Sequence, residues 1–252
     1  MEILQYLLIT LAAFAAGIVN ALAGGGTLIS FPALTLLGVP PVAANVTNTV
    51  ALCPGYLGAT IAQRRLLSDQ KPRLWWYIPA AAVGGLAGAL LLLLTGERLF
   101  TAIIPWLILL AVLLLALGEP VKKWLAGIQT GKPVRQLERW VALPVSLASV
   151  YGGYFGAGLS VILLAVLGIS LHDSLTKLNA VKQVLAFAAN VAAAVFFLFS
   201  GQVVWLAAGI MAVSALLGGA AGGRLAGRIN PAVLRWIVIS IGLAVAVYYF
   251  MK

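Results

Sequence analysis

The chain alternates long apolar runs with short polar breaks, and the run lengths give the first prediction. Stretches of roughly 20 apolar residues, the length that crosses a hydrocarbon core, recur at about 3–23, 42–62, 74–95 and 99–118. Between the first two lies a short run, Thr27 to Leu37, bounded by Gly24-Gly25-Gly26 and Gly38-Val39-Pro40-Pro41. As a helix it would rise only about 16 Å, too little to cross. The segment 3–38 therefore reads as a hairpin whose return arm is a half-helix.

The same figure then begins again. A run at about 140–155 breaks at Gly156-Ala157-Gly158, and a short run ends at Gly168. Full-length runs follow at about 173–199, 203–222 and 232–250. At an offset of roughly 131–134 residues, Asn48 matches Asn179, Val50 matches Val181, and Gly84-Gly85-Leu86-Ala87-Gly88 matches Gly218-Gly219-Ala220-Ala221-Gly222. This order predicts an all-α polytopic membrane protein built from an internal duplication. The repeats are expected at 1–118 and 140–252, joined by a basic loop at 119–139. Each is expected to be a re-entrant or broken-helix hairpin followed by three transmembrane helices.

Composition sharpens this picture. The 252 residues are 63% hydrophobic and 9% charged, against about half and a quarter in a soluble domain. Sixteen Lys and Arg against six Asp and Glu give +10, which in a soluble chain would suggest nucleic acid. Here the bases gather in three segments: Arg64, Arg65, Lys71 and Arg73; Lys122, Lys123, Lys132, Arg135 and Arg139; Arg224, Arg228 and Arg235. Placing all three in the cytoplasm satisfies the positive-inside rule, provided each hairpin enters and leaves on one side. The second repeat then lies inverted relative to the first, and both termini are non-cytoplasmic. A bilayer and no nucleic acid is the expected environment, the cell inner membrane of a bacterium. Cys53 is the only cysteine and His172 the only histidine, so no internal disulfide, thiolate cluster or His-rich metal site is expected, and no cofactor. The N-terminus lacks the basic stretch of a cleavable signal, so the first run is kept as structure.

Sorting the bases isolates two of them. The three segments hold twelve, Arg98 sits at the turn near 97 and Lys252 at the end; Lys177 and Lys182 remain, inside the 173–199 run. Lys177 is about one turn in and can snorkel to the interface. Lys182 is about 15 Å of helix beyond His172 and near mid-membrane, where a charge needs a polar cavity or a partner. No deep acid lies near it; Asp173 is at the helix start. Two readings stand: its counter-charge is an anionic substrate, or it is a neutral lysine that carries a proton.

Polar stripes surround these positions. Asn179, Lys182, Gln183 and Asn190 share one helical face, and Asn45, Asn48, Thr49 and Tyr56 share another. They line a cavity or serve as interhelical glue. A half-helix starting at Gly26-Thr27 leaves N–H groups and a positive dipole end in the membrane, where Thr27 and Ser30 add hydroxyls. The break at Gly156-Ala157-Gly158 has Ser160 two residues on. Gly84, Gly85, Gly88, Gly218, Gly219 and Gly222 read as tight helix packing. Trp75, Trp76 and Tyr77 begin a run, and Tyr248 and Tyr249 end one, where interfacial belts are expected. Cys53 reads as a packing residue, and His172 as a residue of the helix start.

Gly24-Gly25-Gly26-Thr27-Leu28-Ile29-Ser30-Phe31-Pro32, then Gly38-Val39-Pro40 and the polar helix through Asn48, resembles the first-repeat signature of the TauE/SafE sulfite exporter family. The resemblance extends over essentially the whole chain. It implies a bacterial permease of two related halves that moves sulfite, organosulfonates and similar anions. The second repeat departs from the signature, with Ala157 between its glycines and Leu164 where Pro32 would align. Lys177 and Lys182 lie outside the family pattern.

The expected function is therefore a secondary transporter, not an enzyme, for a small sulfur-containing anion. Its expected binding residues are Gly25, Gly26, Thr27 and Asn48 from the first repeat, with Gly156, Gly158, Ser160, Asn179, Lys182 and Gln183 from the second. The anion would sit near mid-membrane between the two hairpin tips. An anion channel, or a carrier of another oxyanion or a carboxylate, is the alternative. An intramembrane hydrolase using Ser160 and His172 is disfavoured, because Val161 follows Ser160 where rhomboid proteases need glycine.

Overall fold

The computed structural model describes residues 3–22, 25–128, 139–171, 173–225 and 231–251. Gly24, Lys132, Arg135, His172, Arg228 and Lys252 lie outside them. The described residues form helices and no strand: α1 (Ile3–Leu22), α2 (Thr27–Leu36), α3 (Pro41–Ala62), a 3₁₀ turn (Arg64–Leu67), α4 (Lys71–Ile128), α5 (Ala142–Tyr154), α6 (Leu159–Ser170), α7 (Leu175–Leu198), α8 (Trp205–Leu225) and α9 (Pro231–Met251). Five of them, α1, α4, α7, α8 and α9, are long and apolar enough to cross a membrane. The short α2 and α6 fall where the undersized runs predicted them. α3 has the length of a span, 22 residues, but spends it on Asn45, Thr47, Asn48 and Thr49, which are buried against other helices.

α4 would be about 87 Å long if straight. It breaks at Gly96, whose φ of 71° suits a residue without Cβ. The break separates the two runs expected at 74–95 and 99–118. The second arm continues to Ile128, ten residues into the expected basic loop. Two contacts account for the extension. Lys122 Nζ donates to Glu119 Oε1 at 3.0 Å along the helix, and buried Leu125 packs on Gly168. At the other end Pro72 occupies the first turn, where its missing N–H costs nothing.

Two helix pairs cross at glycines, each between segments distant in the fold's helix order or joined across the long α4. α1 packs on α8 with Phe14 against Gly218 and Ile18 against Gly222; α5 packs on the first arm of α4 with Ser146 against Gly84 and Val150 against Gly88. The arm residues correspond at an offset of 132, 14 with 146 and 18 with 150, and the glycines at 134, 84 with 218 and 88 with 222; in each pair the helices run in the same direction. The glycines read as packing residues therefore pack. α2 lies along α9, with Leu28 near Gly242 and Thr35 accepting from Tyr249 Oη at 2.7 Å. Phe31 of α2 meets Phe155, just past α5, edge-on at 5.5 Å.

One expectation fails locally. Trp75 and Trp76 face outward, but Tyr77 is fully buried. Consecutive helical residues point about 100° apart, so three in a row cannot all face lipid.

The 63–73 segment is fastened to the start of α7. Asp173 Oδ2 accepts from Gln70 Nε2 and Arg73 Nη1, both at 2.8 Å. Lys177 is paired with Asp69 rather than snorkelling alone.

Candidate functional site

Ser174 starts α7 by accepting from the Lys177 N–H at 3.4 Å, an N-cap. The helix then presents Asn179, Lys182 and Gln183, spaced three and four apart, on one face. That face meets the end of α3 at Gln63, the second arm of α4 at Leu115, Gly118 and Lys122, the start of α6 at Ser160, and the start of α9 at Arg235. Between them lies a pocket of about 110 Å³.

Lys182 is 9% exposed. Its Nζ donates to Asn179 Oδ1 at 2.8 Å, which leaves an ammonium with further donors for the pocket. Asn179 in turn donates from Nδ2 to Gln63 Oε1 at 3.1 Å, so the amide is held from both ends. Arg235 and Lys122 both donate to Glu119 Oε1, at 3.2 and 3.0 Å. Three cations against one carboxylate leave the wall at a formal +2 (3 − 1). Positive charge in a pocket of that size suits a compact anion.

The site residues expected from sequence fall in two places. Ser160, Asn179, Lys182 and Gln183 line this pocket together. Gly156 and Gly158 do not line it; they turn the chain that delivers Ser160, with Gly158 as the left-handed N-cap of α6 at φ 83°. Gly25, Gly26, Thr27 and Asn48 do not line the pocket either; they form a buried cluster at the first hairpin tip, linked to the pocket through Asn20. There the Gly26 N–H donates to Asn20 Oδ1 at 2.8 Å. Ser30 Oγ donates to Asn48 Oδ1 at 2.5 Å, and Asn48 Nδ2 to Thr27 Oγ1 at 3.5 Å. These polar groups satisfy one another.

The tips are also kept apart. The second arm of α4 passes between them, with Leu115 against Gly25 and Leu114 against Gly158. The pocket begins at Leu115, the residue against Gly25, and extends along that arm through Gly118 to Lys122, toward the basic segments. Lys122, Arg235, Gln63 and Asn20 were the polar site residues that run lengths alone missed. The first three lie in or beside the basic segments, where their signal reads as orientation, and Asn20 sits near the end of the first apolar run.

A larger cavity of about 490 Å³ adjoins the pocket and shares Asn20, Ala21, Gln63 and Gln183 with it.

Curated relatives agree with a membrane transporter. A Haemophilus influenzae "probable membrane transporter protein" is 28% identical over 226 residues, covering 90% of this chain and 87% of that one. The Sinorhizobium "probable membrane transporter protein ORF9" is 29% identical, covering 94% and 88%. The Escherichia coli "probable membrane transporter protein YfcA" is 30% identical, covering 84% and 77%. No solved structure matches the chain. A transporter of the bacterial inner membrane, not an enzyme, is what these likenesses and the apolar helices describe. The family pattern described as "Sulfite exporter TauE/SafE" matches residues 9–249, nearly the whole chain, and the protein belongs to that family.

Proposed function

We propose that this transporter carries a small sulfur-containing oxyanion, sulfite or a sulfonate, through the pocket formed by Lys122, Ser160, Asn179, Lys182, Gln183 and Arg235. One observation carries the reading: three cations and four amides face one small pocket, and the carboxylate bound to that cluster, Glu119, neutralises only one charge. Lys182 is the charge buried deepest, and its two remaining N–H groups suit a three-oxygen head.

The working cycle in this reading is alternating access by two inverted repeats, 1–118 and 140–252. Support for inversion comes from the two hairpins. α6 leads into Asp173, which binds Arg73 and Gln70 beside the basic 63–73 segment. α2 leads instead into Val42, whose N–H donates to Glu97 at the turn that carries only Arg98.

Purified protein in proteoliposomes tests the site. Lys182→Ala is expected to lower sulfite flux about 10- to 100-fold, the loss of one charged hydrogen bond of about 1.5–3 kcal/mol, while Lys182→Arg keeps part of it. Unchanged flux in Lys182→Ala, at equal insertion, would remove Lys182 from the site.

A further inference from the structure

A bare oxyanion fills only the smaller of the two adjoining cavities. The basic pocket, at about 110 Å³, is well below the 300–1,000 Å³ of ordinary small-molecule sites. Its neighbour, at about 490 Å³, falls within that range and differs in chemistry. Its wall is formed by α1, α3 and α8 and is mainly apolar or small: Leu52, Leu216, Gly55, Gly58 and Ala215, with the Tyr56 ring. Gln63 and Gln183 stand at the junction, lining both spaces. On the outer side Leu216, Gly58 and Ala220 are exposed, so the larger cavity opens on the flank of the helix bundle. One end of the composite space is cationic and compact, and the other is apolar and roomy.

We propose that the two cavities form a single site for an amphiphilic anion, with a compact oxyanion head at Lys182 and a hydrocarbon tail of several carbons between α1, α3 and α8. The proposal rests on the head-group reading above and adds the tail. The tail gives affinity through apolar burial, which a bare sulfite cannot provide. The same chemistry occurs in a free alkyl sulfonate and in an anionic lipid whose chain enters from the bilayer flank.

The test is a series of alkanesulfonates from methane- to hexanesulfonate, titrated into protein held in phosphatidylcholine nanodiscs. Each buried methylene is expected to tighten binding about three- to fourfold, so hexanesulfonate should bind at least about 30-fold tighter than methanesulfonate. Gly55→Leu is designed to fill the larger cavity: Gly55 lines it, and a Cβ there would meet no atom within 4 Å. It should collapse the hexane-to-methane ratio to within about threefold, whereas Lys182→Ala should weaken every member of the series. Nanodiscs containing phosphatidylglycerol distinguish the sources. Displacement of hexanesulfonate assigns the site to a lipid, and undisturbed binding assigns it to a free anion. Methanesulfonate binding with no gain along the series overturns the tail while leaving the head reading intact. A gain that Gly55→Leu does not reduce is partition into the bilayer, and overturns it too. Absence of binding by any member defeats the head reading itself.

Discussion

Replacing Gly88 with alanine tests the crossing of α5 on α4. A Cβ at Gly88 would lie 2.0 Å from the Val150 carbonyl oxygen and 2.7 Å from the Tyr154 nitrogen. Both are backbone atoms, so no side chain can turn aside. To reach an ordinary contact near 3.4 Å the helices must separate by about 1.4 Å (3.4 − 2.0). Glycine to alanine also gains about 1 kcal/mol of helix propensity, which opposes the clash. Gly209 of α8 provides the reference, because a Cβ there meets nothing within 4 Å. Gly209→Ala should gain the propensity alone. The difference between the two variants removes that common gain and leaves the overpacking cost, about 1–3 kcal/mol, at the upper end because backbone must move. The assay is reversible unfolding by titrated SDS in mixed micelles. Gly84→Ala and Gly218→Ala should then cost alike, since their added methyls would meet Ser146 O at 2.2 Å and Phe14 O at 2.1 Å. If Gly88→Ala is as stable as Gly209→Ala, or if Gly84 and Gly218 differ widely, the reciprocal crossing is wrong.

Three further expectations follow from single contacts. Ser30→Ala leaves the buried Asn48 Oδ1 without its hydroxyl donor and should cost about 1–3 kcal/mol of stability, with anion affinity changed by less than about twofold. A loss of affinity at unchanged stability would place the hairpin cluster in the binding site. Asp173→Ala removes the acceptor shared by Gln70 and Arg73 and should lower stability by roughly 2 kcal/mol; no change would show that the 63–73 segment is held elsewhere. The hydrogen bond from Lys177 holds the Asp69 carboxyl below the usual carboxylate range. A carboxyl lowered by folding contributes stability above its unfolded value near 4 and loses it as pH falls through the folded value. Asp69→Asn should therefore be less stable than the parent at pH 6–8 and converge with it in acid. Parallel unfolding curves from pH 3 to 7 would refute that role.

Much of the fold was written in run lengths. The two undersized runs became α2 and α6, and the glycine breaks fell at their starts, because helix rise against bilayer thickness is a one-dimensional constraint. The extension of α4 to Ile128 was not visible, since it depends on Leu125 meeting Gly168 some 40 residues away. The site was half legible. Asn179, Lys182 and Gln183 follow from helical spacing, but Lys122 and Arg235 join them from α4 and α9, more than 100 residues apart in the chain. Thr27 and Asn48 have the same polar chemistry, and only the structure reveals that they are occupied with each other. Orientation and binding draw on the same basic residues, so a count of charges cannot separate the two uses.

The crossing of α1 on α8 also has a bearing on how the chain is made. α1 leaves the ribosome before α8, and the glycine surface it packs on, Gly218 and Gly222, is synthesised about 200 residues later. Until α8 arrives, Phe14 and Ile18 have only lipid or an insertion factor to lie against, whereas Leu115, the α4 wall behind the Gly25 turn, follows that turn by only 90 residues. Contacts so distant in sequence make slow, late-closing assembly the rule. A half-length product, ended by a premature stop near the central loop, would therefore carry its hydrophobic arms unmatched, ready to be removed by quality control or to pair with the arms of another chain.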